Sequence, residues 1–388
     1  MEINKIIKLK INENLKELEN TLNAWNIAKW KYRRNESFNL PSTLKASMKL
    51  FGCFEVSHLT FCETGFSIDF DNNEVKLTSL EKYKRILLKI DEEDMKYLKK
   101  EIENGAKATE VMVIPPSYLK GKHRRREIVK NNCWKLHITL KKNVELLTKE
   151  EFKKLQRVSV IGVDLNSKYG VAYSIWIWDT KENSMKPMKF GFVKPKMKSH
   201  RFQEIEKWKL QMNHRNSVKD NELYQRINKR IQRQNKDYCE KVSKNLINTA
   251  LESIKQYNCE IAIISFENLK EYEVNKNNNS KKINKKNSEW LRGRIVQRVF
   301  EKSLWINSMK ALTYLPTFSK NQRNLEQILV KARNTSINCS KCGGKGKING
   351  RMFECRNCGY KFDKHLNASN NISKRTIEVL RIVASPNA

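Results

Sequence analysis

The feature that most constrains this chain is a cysteine quartet near its C-terminus, Cys339-x2-Cys342-x12-Cys355-x2-Cys358. Two Cys-x-x-Cys knuckles present four thiolates, the donor set a zinc ion takes in a tetrahedron. Gly343 and Gly359 follow the two knuckles, where a tight turn needs a residue free to adopt positive φ. Lys345–Phe353, with Gly346 and Gly350, reads as the hairpin between them. Four thiolates leave no open coordination position, so the expected zinc is structural, and its binding energy becomes folding energy for a small module. The other cysteines, Cys53, Cys62, Cys133, Cys239 and Cys259, stand singly. An odd, scattered set without a secretory leader argues against a disulfide framework.

The second constraint is charge. Lys and Arg number 77 against 42 Asp and Glu, a net +35 over 388 residues. Such a chain repels itself and calls for a polyanion, and a phosphate backbone supplies one. A basic membrane-surface protein is a poorer match, because no separate amphipathic helix pairs a basic face with an aromatic one. No apolar run approaches the roughly 20 residues that span a bilayer. Met1 is followed by a charged segment and not by an apolar signal core, so a cytoplasmic location is expected. The length suggests two or three domains.

The N-terminal half reads as a strand at 3–11, a helix over 13–35 and a short helix near 44–51. A hairpin is expected at 66–78, where two alternating runs flank Asp71-Asn72-Asn73. A helix over 91–105 ends at Gly105, and strands follow at 109–115 and 134–140. Between those strands lie Lys120, Lys122, Arg124, Arg125 and Arg126, a basic loop dense enough for phosphate contact.

After Leu155 the pattern becomes α/β. Buried-type strands are expected at 158–164 and 259–266, with a return strand at 171–178. A long helix over 221–256 carries a basic face of Arg226, Lys229, Arg230, Arg233 and Lys236. Residues 275–288 are polar and of low complexity and read as a loop, and 290–312 reads as a further helix.

Two acids stand at strand ends. Asp164 closes Ile161-Gly-Val-Asp, and Glu267 closes Ile261-Ala-Ile-Ile-Ser-Phe-Glu. A buried carboxylate needs a cation or hydrogen-bond donors, so Asp164 alone is either a metal ligand or a capped structural acid. Two strand-end carboxylates can converge at one sheet edge, and two divalent ions held there would activate water and stabilise the leaving oxygen in phosphodiester hydrolysis.

These pieces occur in a telling order: Gly162-Val-Asp-Leu, Phe266-Glu-Asn-Leu, Asn334-Thr-Ser-Ile-Asn-Cys-Ser-Lys-Cys-Gly343, Cys355-Arg-Asn-Cys-Gly359 and Asp363-Lys-His-Leu-Asn-Ala-Ser-Asn-Asn-Ile372. The set resembles the TnpB (OrfB) family of transposon-encoded RNA-guided nucleases, and is similar to the compact type V CRISPR effectors. Its motifs span about 155–373.

The resemblance implies an α/β multidomain chain with an RNase H-like RuvC domain and an inserted four-cysteine zinc ribbon. A β-barrel wedge domain with a small helical recognition insert would precede it. The implied segments are a first wedge strand at 1–11, a helical recognition region at 12–53 and a β-rich wedge at 54–155. A nuclease core at 156–332, the ribbon at 333–362 and a last RuvC segment with its tail at 363–388 complete the chain. The implied partners are a guide RNA and target DNA, with base pairing supplying most sequence specificity. The implied cofactors are structural Zn²⁺ and catalytic Mg²⁺ or Mn²⁺, the latter on Asp164, Glu267 and a third carboxylate.

The family's usual ending after the ribbon is Asp-Arg-Asp-x-Asn-Ala-Ala, whose second Asp is that third carboxylate. Here the run is Asp363-Lys-His365-Leu-Asn-Ala-Ser369, so an imidazole takes its place. A neutral imidazole adds no negative charge and is a poorer ligand for Mg²⁺. His365 is then a tolerated helix-start residue in an inactive site, or it favours a softer ion such as Mn²⁺, or Asp363 swings in to complete the set, unless Asp363 serves as an N-cap. The corresponding functions are an impaired RNA-guided DNA endonuclease and a nuclease-dead RNA-guided binding protein that represses or targets. A strand-joining transposase is disfavoured, because no Tyr or additional His pair forms a nucleophile motif.

Overall fold

The structure is a computed structural model. It describes residues 2–11, 15–34, 36–37, 39–42, 44–46, 59–81, 83–120, 127–130, 133–143, 149–166, 170–193, 218–268, 292–306, 329–331 and 334–384. Of the basic loop, Lys122, Arg124, Arg125 and Arg126 lie outside the described residues, as do the low-complexity stretch 275–288 and most of 44–51. The chain divides into two compact units, Met1–Val144 and Glu145–Ala388. Among the described residues no helix is long and apolar enough to cross a membrane.

In the first unit, β1 (Glu2–Ile11) pairs antiparallel with β9 (Trp134–Asn143), placing Leu9 opposite Leu136 and Ile7 opposite Ile138. The sheet continues through β6 (Ala106–Ile114) to β2 (Leu59–Cys62). Alternation along β9 buries Trp134, Leu136, Ile138 and Leu140 on one face, as period-two patterning requires. A second sheet joins β3 (Phe66–Asp69), β4 (Glu74–Thr78) and β5 (Arg85–Lys89). Helix α1 (Leu15–Arg33) buries Leu18, Leu22 and Trp25. Helix α2 (Glu92–Glu103) starts at Asp91, whose carboxylate accepts from the Glu93 N–H at 3.0 Å, and is followed by Gly105 at φ +84°. A small hairpin, β7 (Ser117–Lys120) and β8 (Glu127–Lys130), flanks the basic loop.

The second unit is a mixed α/β fold built on one five-stranded sheet in the order β12-β11-β10-β13-β14. Its strands are β10 (Arg157–Asn166), β11 (Gly170–Asp179), β12 (Ser184–Val193), β13 (Ile261–Asn268) and β14 (Leu329–Lys331). The first three are antiparallel neighbours, while β10–β13 and β13–β14 are parallel. The central strands are covered on both faces, which explains their nearly unbroken apolar sequences. Helix α3 (Lys149–Lys154) leads in and buries Phe152.

Odd positions of β10 and β11 point to one side: Ile161, Val163, Leu165, Val171, Tyr173 and Ile175. They pack on α4 (Val218–Tyr257) and α5 (Arg292–Trp305). Helix α4 meets them with Cys239, Val242, Leu246 and Ala250, spaced three or four apart on one stripe. Full burial of the Val242 and Leu246 side chains contributes about 1.5–3 kcal/mol each.

Even positions point the other way, toward α6 (Lys364–Ala384). Val158, Val160, Trp176 and Trp178 pack there with Ile377 and Leu380. The N-terminal half of α6 is different, because its buried side chains are small and polar: Asn367, Ser369, Asn370, Asn371, Ser373 and Thr376. Asn370, Ser373 and Thr376 are satisfied by the sheet, while the Ser369 hydroxyl donates to Leu366 O of its own helix at 2.9 Å. The Gly162 N–H donates to Ser373 Oγ at 2.8 Å, and Ser373 Oγ lies 2.9 Å from Ser174 Oγ. The Trp176 indole N–H donates to Asn370 Oδ1 at 2.8 Å, and Thr376 Oγ1 donates to Ser265 Oγ at 2.6 Å.

Gly162 allows this close approach. A Cβ there would lie 2.3 Å from the Ser369 carbonyl oxygen and 2.5 Å from Ser373 Oγ. Gly162→Ala is therefore expected to cost about 1–3 kcal/mol of stability in urea unfolding, as overpacking does. Gly293→Ala, on the exposed start of α5 with nothing within 4 Å of the added carbon, is expected to be neutral or slightly stabilising.

Candidate functional site

Strands β10 and β13 run parallel, and their last paired positions are Val163 and Phe266. One residue further along each strand lie Asp164 and Glu267. Aligned residues on neighbouring strands share a face. Ile261, Ile263 and Ser265 point toward α6, so Glu267 does as well, and Asp164 follows Val158, Val160 and Gly162 to the same side. The two carboxylates thus stand side by side at the C-terminal ends of adjacent parallel strands, under the start of α6.

His365 occupies the first turn of α6. Its Nδ1 lies 2.7 Å from Asp164 Oδ2, and both residues are buried. The contact engages Nδ1 and leaves Nε2 at the opposite edge of the ring. Asp363 is placed differently. Its Oδ1 accepts from the His365 N–H at 2.9 Å and the Leu366 N–H at 3.3 Å, and its Oδ2 pairs with Arg351 of the ribbon. That is an N-cap, in which the carboxylate satisfies orphan donors of the helix start.

Glu267 has its own partner, since the Thr335 hydroxyl donates to Glu267 Oε1. Asp164 and His365 are brought together, Glu267 stands beside Asp164 with Thr335, and Asp363 serves the helix end. These side chains do not close on one point. Among the described residues, the four cysteines are the only three or more His, Cys, Asp or Glu whose ligand atoms gather within 4.8 Å. The donor set suits an oxygen-seeking divalent ion in part. Two carboxylates on one face match it, and the imidazole at the third place brings no charge.

The cysteine cluster is tighter. Cys339 Sγ and Cys358 Sγ are 3.8 Å apart, and Cys342 Sγ and Cys355 Sγ are 3.5 Å apart. Four sulfurs about 2.3 Å from a tetrahedral zinc stand roughly 3.8 Å from one another, so the cluster is consistent with a zinc ribbon. The two knuckles fold alike. Gly343 N–H donates to Cys339 O at 2.9 Å and Gly359 N–H to Cys355 O at 3.2 Å, with both glycines at positive φ. Backbone N–H groups, led by that of Cys358, hold the Cys355 thiol low, while burial pushes the Cys339 thiol up. A three-stranded sheet of β15 (Gly346–Asn349), β16 (Met352–Cys355) and β17 (Lys361–Asp363) carries the knuckles around buried Phe353.

The ribbon is tied to the sheet through α6. Asn367 Oδ1 accepts from the Ser340 N–H at 2.9 Å while its Nδ2 donates to Asn338 O at 2.7 Å. Asn371 Nδ2 donates to Thr335 O at 2.7 Å and to Asn338 O at 2.8 Å. Thr335, Asn367 and Asn371 were not distinguished by their sequence as site residues. The available signal was the i, i+4 spacing of the two asparagines on a helix that otherwise reads as core.

Among the expected nucleic-acid contacts, Arg226, Lys229, Arg230, Arg233 and Lys236 are exposed along α4, opposite its core stripe. Lys120 ends β7.

Residues 319–372 match the family model described as Cas12f1-like, TNB domain. The chain is 30% identical over 258 residues to a TnpB-like protein of Aquifex aeolicus, covering 63% of this chain and 74% of that one. It is 27% identical over 222 residues to a TnpB-like protein of Methanocaldococcus jannaschii, covering 57% and 70%. Among solved structures, CasPhi-2 (Cas12j) bound to crRNA is similar with a TM-score of 0.44 at 11% identity. That match covers 78% of this chain, which spans 61% of the CasPhi-2 chain.

Removing zinc with a chelator, or Cys339→Ser, is expected to lower the melting temperature and open residues 334–363 to limited proteolysis. The bound metal is expected to be zinc by elemental analysis. A full-length protein that melts unchanged without zinc would contradict the structural role.

Proposed function

Because the chain belongs to the TnpB-like protein family, we propose that it is an RNA-guided DNA-binding effector with a RuvC-like nuclease site whose cleavage is attenuated. The observation that carries this reading is the arrangement at the sheet edge: Asp164 and Glu267 side by side, with His365 hydrogen-bonded to Asp164 at 2.7 Å. A sheet ordered β12-β11-β10-β13-β14, with only its first three strands antiparallel, suits an RNase H-like core. The β-rich first unit is read as the wedge domain with α1 as its helical insert.

Guide RNA and target DNA answer the net charge of +35. The exposed lysines and arginines of α4 track phosphates and position the duplex without reading sequence. Base pairing to the guide carries the specificity. Binding should therefore weaken steeply with salt.

Asp164 and Glu267 are the residues that would hold Mg²⁺ or Mn²⁺, which when bound supplies an activated water and stabilises the leaving oxygen in phosphodiester hydrolysis. His365 alters that site in two ways. It removes one negative charge, and its Nδ1 engages an oxygen of Asp164. Both effects lower affinity for a hard ion more than for a softer one. A nuclease-dead binding protein is the second reading, and the Asp164–His365 contact favours it for the same reason.

The test compares the full chain, purified with its native RNA, with His365→Asp on a matched DNA. Both are expected to bind that DNA, and the variant is expected to cut in Mg²⁺ faster by on the order of tenfold or more, the scale on which changes around a metal site act. Wild-type cutting as fast as the variant would remove the attenuation. A protein that retains no RNA and shows no RNA-dependent DNA binding would end the reading.

A further inference from the structure

Asp164 has a partner on α6, and a partner of Glu267 comes from the ribbon. Thr335 lies four residues before Cys339, in the turn that enters the ribbon. It is 2% exposed, and its hydroxyl donates to Glu267 Oε1. Its backbone is fixed as well. The Thr335 carbonyl accepts from Asn371 Nδ2 at 2.7 Å, and the turn is closed by the Asn338 N–H on Asn334 O at 3.0 Å, with Asn334 at φ +67°. The same Asn371 amide also reaches Asn338 O, next to the first zinc ligand.

We propose that Thr335 is a positioning residue for Glu267, through which the folded, zinc-bearing ribbon orients a carboxylate of the nuclease site. The inference rests on the proposed role of Glu267 as a ligand for a divalent ion. A carboxylate on a strand end can rotate about two or three side-chain bonds, and an ion binds it well only if that rotation is already restricted. A buried hydroxyl held by its own backbone fixes one carboxylate oxygen, the usual way an outer partner orients a metal ligand. This arrangement makes the ribbon more than a basic module beside the site. The turn 334–338 leads into the first zinc knuckle and carries the hydroxyl, so zinc binding there would hold it in place.

The threonine also explains why the ribbon's approach is so densely hydrogen-bonded. Ser340 N–H, Asn338 O and Thr335 O each meet an asparagine of α6. A hydrogen bond to Glu267 keeps its geometry only if this segment does not shift against the sheet, and α6 is the element that also touches Asp164.

The experiment measures Mn²⁺ binding to the full chain with its RNA, by electron paramagnetic resonance, for wild type, Thr335→Val, Thr335→Ser and Glu267→Gln. Zinc content and melting temperature are measured on each. Valine keeps the shape and removes the donor, while serine keeps the donor. Thr335→Val is expected to weaken Mn²⁺ binding about tenfold, equivalent to about 1.4 kcal/mol, with zinc content unchanged. Thr335→Ser is expected to stay within about twofold of wild type, a difference of roughly 0.4 kcal/mol. Thr335→Val binding Mn²⁺ as wild type does, while Glu267→Gln loses it, overturns the positioning role and leaves the site standing. Unchanged binding in Glu267→Gln overturns both. Loss of zinc in parallel with Mn²⁺ in Thr335→Val, or no recovery in Thr335→Ser, assigns the effect to ribbon unfolding and overturns the role given to the hydroxyl.

Discussion

The close approach of α6 to the central sheet at Gly162 is the constraint on which the rest of the second unit depends. A side chain at that position would meet the backbone of Ser369 and Ser373. Without one, the helix comes near enough for serine, threonine and asparagine side chains to replace ordinary aliphatic packing. Buried polar groups are costly unless satisfied, and here Asn370, Ser373 and Thr376 find partners on the strands while Asn367 and Asn371 find theirs in the ribbon. Such a contact has little freedom in register. A shift of one residue along α6 would strand several donors at once, so the helix is placed more narrowly than hydrophobic packing alone would place it. That narrow placement sets His365 against Asp164 at one end and Asn367 and Asn371 against the ribbon on the adjoining turn.

Two metal chemistries meet around this helix. The ribbon offers four sulfurs at tetrahedral spacing, a donor set that excludes Mg²⁺ and has no open position for a substrate. The sheet edge offers oxygen donors from two strands, with one imidazole where a third acid is expected. The two are linked by short covalent and hydrogen-bonded paths. Thr335 stands four residues from a zinc ligand and contacts Glu267, while Asp363 closes the ribbon sheet and caps the helix that carries His365. In the proposed reading, a site assembled this way depends on the folding of the ribbon without using any zinc ligand.

Much of this was legible in the sequence. The cysteine spacing indicated a zinc ribbon before any fold was known, and the apolar runs ending in Asp164 and Glu267 marked strands buried on both faces. The observed β10, β13 and α4 follow those patterns closely. Strand β12 was not expected, for a physical reason. It is an edge strand with an exposed middle, it contains Pro187, and its pairing with β11 slips between Ile175 and Trp176, so neither alternation nor an apolar run marks it. Strand β5 reads Arg-Ile-Leu-Leu-Lys, with no alternation in sequence, and its alternating burial comes only from pairing with β4. At the site, residue types marked Asp164 and Glu267 as candidate ligands and His365 as a departure from the run that the resemblance leads one to expect. They did not reveal that His365 contacts Asp164, because that contact joins residues 201 positions apart. Thr335 was hidden for the same reason: a hydroxyl in a turn acquires a role only when the fold brings a carboxylate to it.

The claim at the centre is that one helix, seated at Gly162, holds a two-carboxylate ion site and a zinc ribbon in fixed relation. The most direct measurement is anomalous diffraction from crystals of the full chain with its RNA grown in Mn²⁺, with data at the zinc and manganese edges. The account predicts a zinc peak among Cys339, Cys342, Cys355 and Cys358 and a manganese peak touching both Asp164 and Glu267, with His365 still against Asp164. A manganese peak elsewhere, with Asp164 and Glu267 turned away from each other, would contradict it.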